Sequence, residues 1–120
     1  MKGMAKPDEN PTNALQAWSE LDLRVGRVVR AEVHDRARVP AYRLWIDFGP
    51  LGLKTSSAQL TELYRPEDLE GRTVVAAVNL GTRRIAGFPS EVLVLGVPDD
   101  RGRVVLLAVE RDVPLGGRVY

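Results

Sequence analysis

The run Leu23 to Val33 (LRVGRVVRAEV) places Leu23, Val25, Arg27, Val29, Ala31 and Val33 on one parity, the spacing of a long β-strand. Val28 interrupts the alternation, and Gly26 lies inside the run, so a bend or bulge is expected near Gly26. Tyr42 to Phe48 alternates more cleanly. Tyr42, Leu44, Ile46 and Phe48 fall on one face, with Arg43, Trp45 and Asp47 on the other. Trp45 is the large apolar residue on the polar side, which makes it either a covered residue or part of a binding surface. Gly49-Pro50-Leu51-Gly52 reads as a turn that returns the chain into a third strand, Leu53 to Ser57.

Beyond Gln59 the period becomes helical. Leu60, Leu63 and Tyr64 share a side until Pro66 interrupts, and Gly71 ends the segment. Val74 to Val78 and Glu91 to Val97 read as the fourth and fifth strands. Val104 to Val109 pairs with the fifth across Pro98 to Gly102, and Val113 to Tyr120 is a further short strand or tail. At the other end, Thr12 or Asn13 can cap a short helix that runs to Leu21, with Ala14, Leu15, Ala17, Trp18 and Leu21 on its apolar face. Such a helix must dock, either on its own domain or on a partner subunit. Residues 1–13 read as a disordered tail and residues 14–120 as one domain. The element order is that of an all-β, five-stranded Greek-key OB barrel with a short N-terminal helix, a short helix between strands 3 and 4, and a C-terminal extension.

Composition changes this picture little. A chain of 120 residues suits one core, no apolar run approaches a membrane span, and the start carries no signal peptide. With no cysteine there are no disulfides, thiolate chemistry or cysteine metal sites, and a cytoplasmic location is expected. Net charge is only +1, but it is segregated. Arg24 to Lys54 holds seven basic residues against three acidic ones, whereas Thr55 to Glu70 is mainly acidic. Such segregation can steer a polyanion even when the net charge is near zero.

An OB barrel binds across its second and third strands. Here that surface includes Arg43, Trp45, Lys54 and the polar run Thr55-Ser56-Ser57-Ala58-Gln59. The glycine-punctuated stretch from Asn79 brings Arg83 and Arg84 between Gly81 and Gly87, either as a presenting loop or as a solvated hairpin loop. Val39 and Pro40 are expected to be exposed on the loop from His34 to Ala41. No catalytic constellation is apparent: there is no Walker loop, no His-Glu-His helix and no carboxylate cluster at metal-ligand spacing. His34 is the only histidine. Its neighbour Asp35 and the more distant Ser56 make no triad by sequence alone, and an exposed loop histidine is the expectation. No enzyme activity, metal or cofactor is anticipated.

Leu53 to Leu60 (LKTSSAQL), Val78-Asn79-Leu80, Arg83 to Phe88 (RRIAGF) and Ser90 to Gly96 (SEVLVLG) together resemble the stand-alone tRNA-binding domain family, in its CsaA type. Ala37 to Ala41 and Ile46 to Gly49 strengthen that subtype. The resemblance spans roughly Trp18 to Tyr120. It implies an OB barrel that binds tRNA and a homodimer built with the N-terminal helix and the C-terminal segment, through Leu15, Trp18, Leu21, Val113 and Leu115. For the CsaA type it adds unfolded or export-bound polypeptides and the export ATPase as partners. On this reading Lys54, Ser56, Ser57, Gln59, Asn79, Arg83, Arg84 and Ser90 face nucleic acid, and Val39, Pro40, Trp45, Ile85 and Phe88 face peptide. The alternative is a non-catalytic tRNA-binding module acting alone or beside an aminoacyl-tRNA synthetase. One departure stands out: many tRNA-binding members continue Glu-Gly-Met after the serine, whereas here Ser90 and Glu91 are followed by Val92 and Leu93.

Overall fold

The computed structural model describes residues 11–120, so the tail expected before them lies largely outside the described residues. Helix α1 (Pro11–Glu20) starts earlier than the capping residues Thr12 and Asn13 suggest. Proline at the first helical position has no N–H to lose, so the helix can begin there. Strands β1 (Leu23–Val33), β2 (Tyr42–Asp47), β3 (Leu53–Ala58), β4 (Thr73–Ala77) and, further on, β7 (Leu93–Val94) form one antiparallel sheet in the order β3-β2-β1-β4-β7. Two hairpins stand apart from it: β5 (Arg83–Ile85) with β6 (Phe88–Ser90), and β8 (Gly96–Pro98) with β9 (Val104–Leu106).

The sheet curls until its edges meet. The Glu91 and Val92 amides donate to the Thr55 carbonyl at 2.8 and 3.2 Å, and Ser56 Oγ donates to the Val92 carbonyl at 2.9 Å. These bonds join β3 to the residues leading into β7 and close a five-stranded OB-like barrel. The interior holds Val28, Leu44, Ile46, Phe48, Leu60, Leu69, Val74 and Ala76.

The first strand carries a correction. Its irregularity lies between Val28 and Arg30, not at Gly26, and it shifts the register of pairing with β2. Leu23 to Arg27 pair with β4, while Arg27 to Val33 pair with β2, so the bulge falls just after the strand takes up its second partner. As a result Val28 and Ala31 point inward on opposite parities, and Val29 and Val33 are exposed. Leu23 faces outward, yet it is buried in a second cluster with Val75 and Ala77, against which Leu21, Leu95 and Val119 pack, and Val25, on the same parity, is also buried. The C-terminal segment provides that cover: Val25 N–H donates to the Gly117 carbonyl and Val119 N–H to the Leu23 carbonyl, each at 2.9 Å.

The helical pattern after Gln59 yields less helix than its period suggests. One turn is marked by Tyr64 N–H on the Leu60 carbonyl at 3.3 Å, and a separate helix α2 spans only Pro66–Leu69. Pro66 therefore begins the helix instead of interrupting it, and Leu69 plugs the core. Tyr64 fastens this plug at two points, accepting Tyr42 Oη on its carbonyl at 2.7 Å and the Leu106 amide on its own hydroxyl at 3.0 Å. Burial, reinforced by Glu67 and Asp68, pushes the Tyr42 phenol above its ordinary value.

Asp99 organises the β8–β9 turn by accepting the Arg101 and Arg103 amides at 2.9 and 2.8 Å and Arg103 Nε at 2.8 Å. Desolvation pulls its carboxyl upward, but those bonds outweigh it and hold it below the ordinary 3.8. A depressed folded-state value means that the stability it supplies is complete above the ordinary carboxylate range. That stability is lost as the pH falls through the depressed value. Acid titration of unfolding midpoints should therefore show a smaller drop between neutral pH and pH ~3 for Asp99→Asn than for the parent chain.

Candidate functional site

Period-two alternation divides the polar residues of β3. Ser56 and Ala58 point into the barrel with Leu44 and Tyr42 as cross-strand neighbours, whereas Thr55 and Ser57 point outward beside Trp45 and Arg43. Ser56 is 1% exposed and its hydroxyl is committed to Val92, so it serves barrel closure and faces no ligand.

The stretch from Arg83 to Ser90 is a hairpin laid over the outer face of β2 and β3. Its turn residues Ala86 and Gly87 have φ of 49° and 84°, the two positive values that a tight primed turn requires. Alanine tolerates that region poorly. Ala86→Asn should raise the thermal midpoint by a degree or more, an effect of about 0.5 kcal/mol, and an unchanged or lower midpoint would count against strain at the tip. At its base the hairpin is clasped to β3. The Ser57 amide donates to Ser90 Oγ at 3.0 Å, the Thr55 amide donates to Glu91 Oε1 at 3.0 Å, and Thr55 Oγ1 donates to the Pro89 carbonyl at 2.6 Å.

Phe88 anchors the hairpin over β2. Its ring meets Trp45 edge to face at 5.5 Å and His34 at 5.7 Å, with the Arg43 guanidinium 5.9 Å above it. Trp45 is thus half-buried, under Phe88 on one side and the Arg30 guanidinium at 4.8 Å on another. His34 corrects the sequence expectation. It is 3% exposed, because its Nδ1 shares a 3.1 Å hydrogen bond with Ser57 Oγ and its ring packs on Phe88.

A bond from the His34 amide to the Ala41 carbonyl at 2.9 Å pinches the 34–41 loop and projects its tip beside the hairpin. Between loop and hairpin lies a cleft of about 580 Å³ lined by Arg38, Val39, Ser57, Gln59, Arg83, Arg84 and Ile85, among others. A second cleft, of about 280 Å³, opens between His34, Arg36, Arg43 and Phe88. Ala86 at the hairpin tip lines both. Arg36, Arg38, Arg83 and Arg84 form no ion pair among the described residues, and Arg84 donates only to the Gly87 carbonyl at 2.9 Å. Four unneutralised guanidinium groups around adjoining clefts suit a polyanion.

The remaining residues singled out in the sequence lie elsewhere. Lys54 and Asn79 line a separate hollow with Asp22 and Phe48. The Asn79 amide group is engaged at both ends: Oδ1 accepts the Asp22 amide at 2.9 Å and Nδ2 donates to the Glu20 carbonyl at 2.7 Å, which ties α1 to the barrel. Pro40 does not line the larger cleft but a neighbouring hollow, with Tyr42 and Thr61. On the α1 side Leu15 and Trp18 are 71% and 46% exposed and Val113 is exposed, while Leu21 and Leu115 are partly covered within the chain. Arg36 and Arg38 were missed as site residues, although their signal was present: two cations in a short loop with one carboxylate, Asp35. Among the described residues no group of acidic or histidine side chains could hold a metal, and no helix is long and apolar enough to cross a membrane.

The family described as "Putative tRNA binding domain" matches residues 23–118. The crystal structure of chaperone CsaA from Bacillus anthracis superposes with a TM-score of 0.85 at 48% identity, covering 98% of this chain and 100% of that one. The CsaA chaperone protein of Picrophilus torridus gives 0.82 at 38% identity, with 88% and 97% covered. Methionine–tRNA ligase of Methanocaldococcus jannaschii is 36% identical over 100 residues, 83% of this chain. The chain spans only 15% of that ligase's length. With the family match running from β1 to the C-terminal segment and the two CsaA structures aligned over most of their length, the chain belongs to the tRNA-binding domain family, in its CsaA type.

Proposed function

We propose that this protein is a non-catalytic tRNA-binding chaperone of the CsaA type, acting in the cytoplasm as a homodimer. The observation that carries the tRNA reading is the set of arginines without carboxylate partners around the cleft between the 34–41 loop and the β5–β6 hairpin. Arg38, Arg83 and Arg84 supply charge there, and Ser57 and Gln59 supply hydrogen bonds that a ribose or phosphate can meet. The same cleft supports the polypeptide reading, because Val39 and Ile85 give it an apolar wall next to the cations. Unfolded or export-bound chains and the export ATPase are the partners this role implies. Leu15, Trp18 and Val113 are exposed apolar positions available to a second copy. A dimer would present two clefts to one ligand and raise its effective affinity.

The test is a titration of tRNA against the purified protein over a range of salt, repeated with a denatured polypeptide as competitor. Binding that falls steeply with salt and is displaced by the polypeptide is expected. Absence of tRNA binding even at low salt removes the tRNA reading. Binding of tRNA that the polypeptide never displaces leaves only the alternative, a tRNA-binding module acting alone or beside a synthetase.

A further inference from the structure

The geometry points to the smaller cleft, between His34 and Phe88, as a stacking subsite for one unpaired nucleobase, adjoining the phosphate-binding cleft across the hairpin tip. The inference rests on the tRNA reading and narrows it, from tRNA as a charged object to tRNA as a source of exposed bases. Three observations carry it.

First, the cleft combines an aromatic ring with guanidinium groups, the two kinds of surface on which unstacked bases settle. Phe88 and His34 line it together with Arg36 and Arg43. Second, the aromatic surface is preset. Edge-to-face contacts with Trp45 and His34 fix the Phe88 ring, and the bond to Ser57 fixes His34, so little side-chain freedom remains to be lost on binding. Third, at about 280 Å³ the cleft has room for one base and none for a duplex, whose bases in A-form are in any case turned inward. Arg43 gives Nη2 to Glu32 at 2.9 Å and keeps a buried Nε without a partner, an unmet donor beside the cleft.

The two clefts meet at Ala86, with Arg36 on one side of the tip and Arg38 on the other. A single strand crossing the tip can therefore lay its backbone along Arg38, Arg83 and Arg84 and turn a base toward Phe88. Backbone contacts then give position and charge, and the ring selects for a strand that is unpaired.

The experiment compares tRNA, a short single-stranded RNA carrying 2-aminopurine, and a blunt-ended RNA duplex of the same length. Proteins tested are the parent chain, Phe88→Leu, Phe88→Trp and Arg36→Ala, each checked for a retained circular dichroism spectrum. The single strand is expected to bind more tightly than the duplex and to show 2-aminopurine quenching. Phe88→Leu should weaken tRNA and single-strand binding by roughly tenfold without changing the salt slope, as loss of one stacked base would. Phe88→Trp should restore binding. Arg36→Ala, at an exposed position, should weaken the single strand and flatten the slope by about one unit. Unchanged affinities in Phe88→Leu and Arg36→Ala, with Arg83→Ala/Arg84→Ala still impaired on tRNA, would overturn the subsite and leave the tRNA reading intact. Failure of the parent chain to bind tRNA at all would overturn both. Loss of denatured-polypeptide binding in Phe88→Leu with RNA binding untouched would assign the cleft to peptide and end the proposal.

Discussion

Replacing Arg38, Arg83 and Arg84 together by alanine should weaken tRNA binding by roughly a hundredfold at moderate salt and flatten its salt dependence by about two to three units. The three guanidiniums line one cleft from two separate segments, the 34–41 loop and β5. None has an internal carboxylate to return to among the described residues, so the charge is available to phosphate. Each phosphate neutralised releases counterions, which is why the loss must appear in the slope as well as in the affinity. All three are exposed, so the folded barrel should be nearly unaffected. Arg101→Ala, on the distant β8–β9 turn, serves as the control and should leave both quantities unchanged. If the triple variant binds with the parent's affinity and slope, the cleft is not where tRNA lands.

Gly26→Ala should lower the free energy of unfolding by about 1–3 kcal/mol, seen as a fall of roughly 5–15 °C in the thermal midpoint. Gly26 sits within β1 opposite Val74, and a Cβ there would lie 2.6 Å from Ile46 Cγ2 and 2.7 Å from Phe48 Cε1. Both neighbours are fully buried, so neither can swing aside into solvent. The lower backbone entropy of an unfolded alanine chain offsets some of this, by about 0.5–1 kcal/mol. A midpoint equal to the parent's would show that the core has slack at this point.

Gly26 also shows how far the sequence could be read. The clean alternation of Tyr42 to Phe48 placed four residues inside and Arg43 and Trp45 outside, as found, because a strand between two antiparallel neighbours obeys its own period. In β1 the glycine marked close packing of Ile46 and Phe48, whereas the bulge arose at Val29. That displacement follows from which partner each half of the strand meets, and partners distant in sequence leave no local trace. The stretch around Ala86 was legible as a presenting loop or a hairpin loop but not as a two-residue turn at Ala86 and Gly87, since alanine is not a residue that announces positive φ. His34 likewise read as a loop residue, because its burial comes from Phe88, far along the chain. Of the polar residues tied to nucleic acid, Ser57, Gln59, Arg83 and Arg84 converge on one cleft, while Lys54 and Asn79 sit apart and Ser56 and Ser90 hold the barrel and hairpin together.

The clasp between β3 and the Ser90–Val92 segment has a bearing on how the chain reaches its final form. Strands β1, β2 and β3 are neighbours in sequence and can assemble as a meander on fast, local terms. Thr55 and Glu91 cannot meet until the intervening chain has been brought round, so the seam should be among the last parts to set and the first to open. In kinetic experiments, then, weakening the seam should quicken unfolding and leave the refolding rate nearly alone, and a slowed refolding limb would place the seam in the nucleus instead.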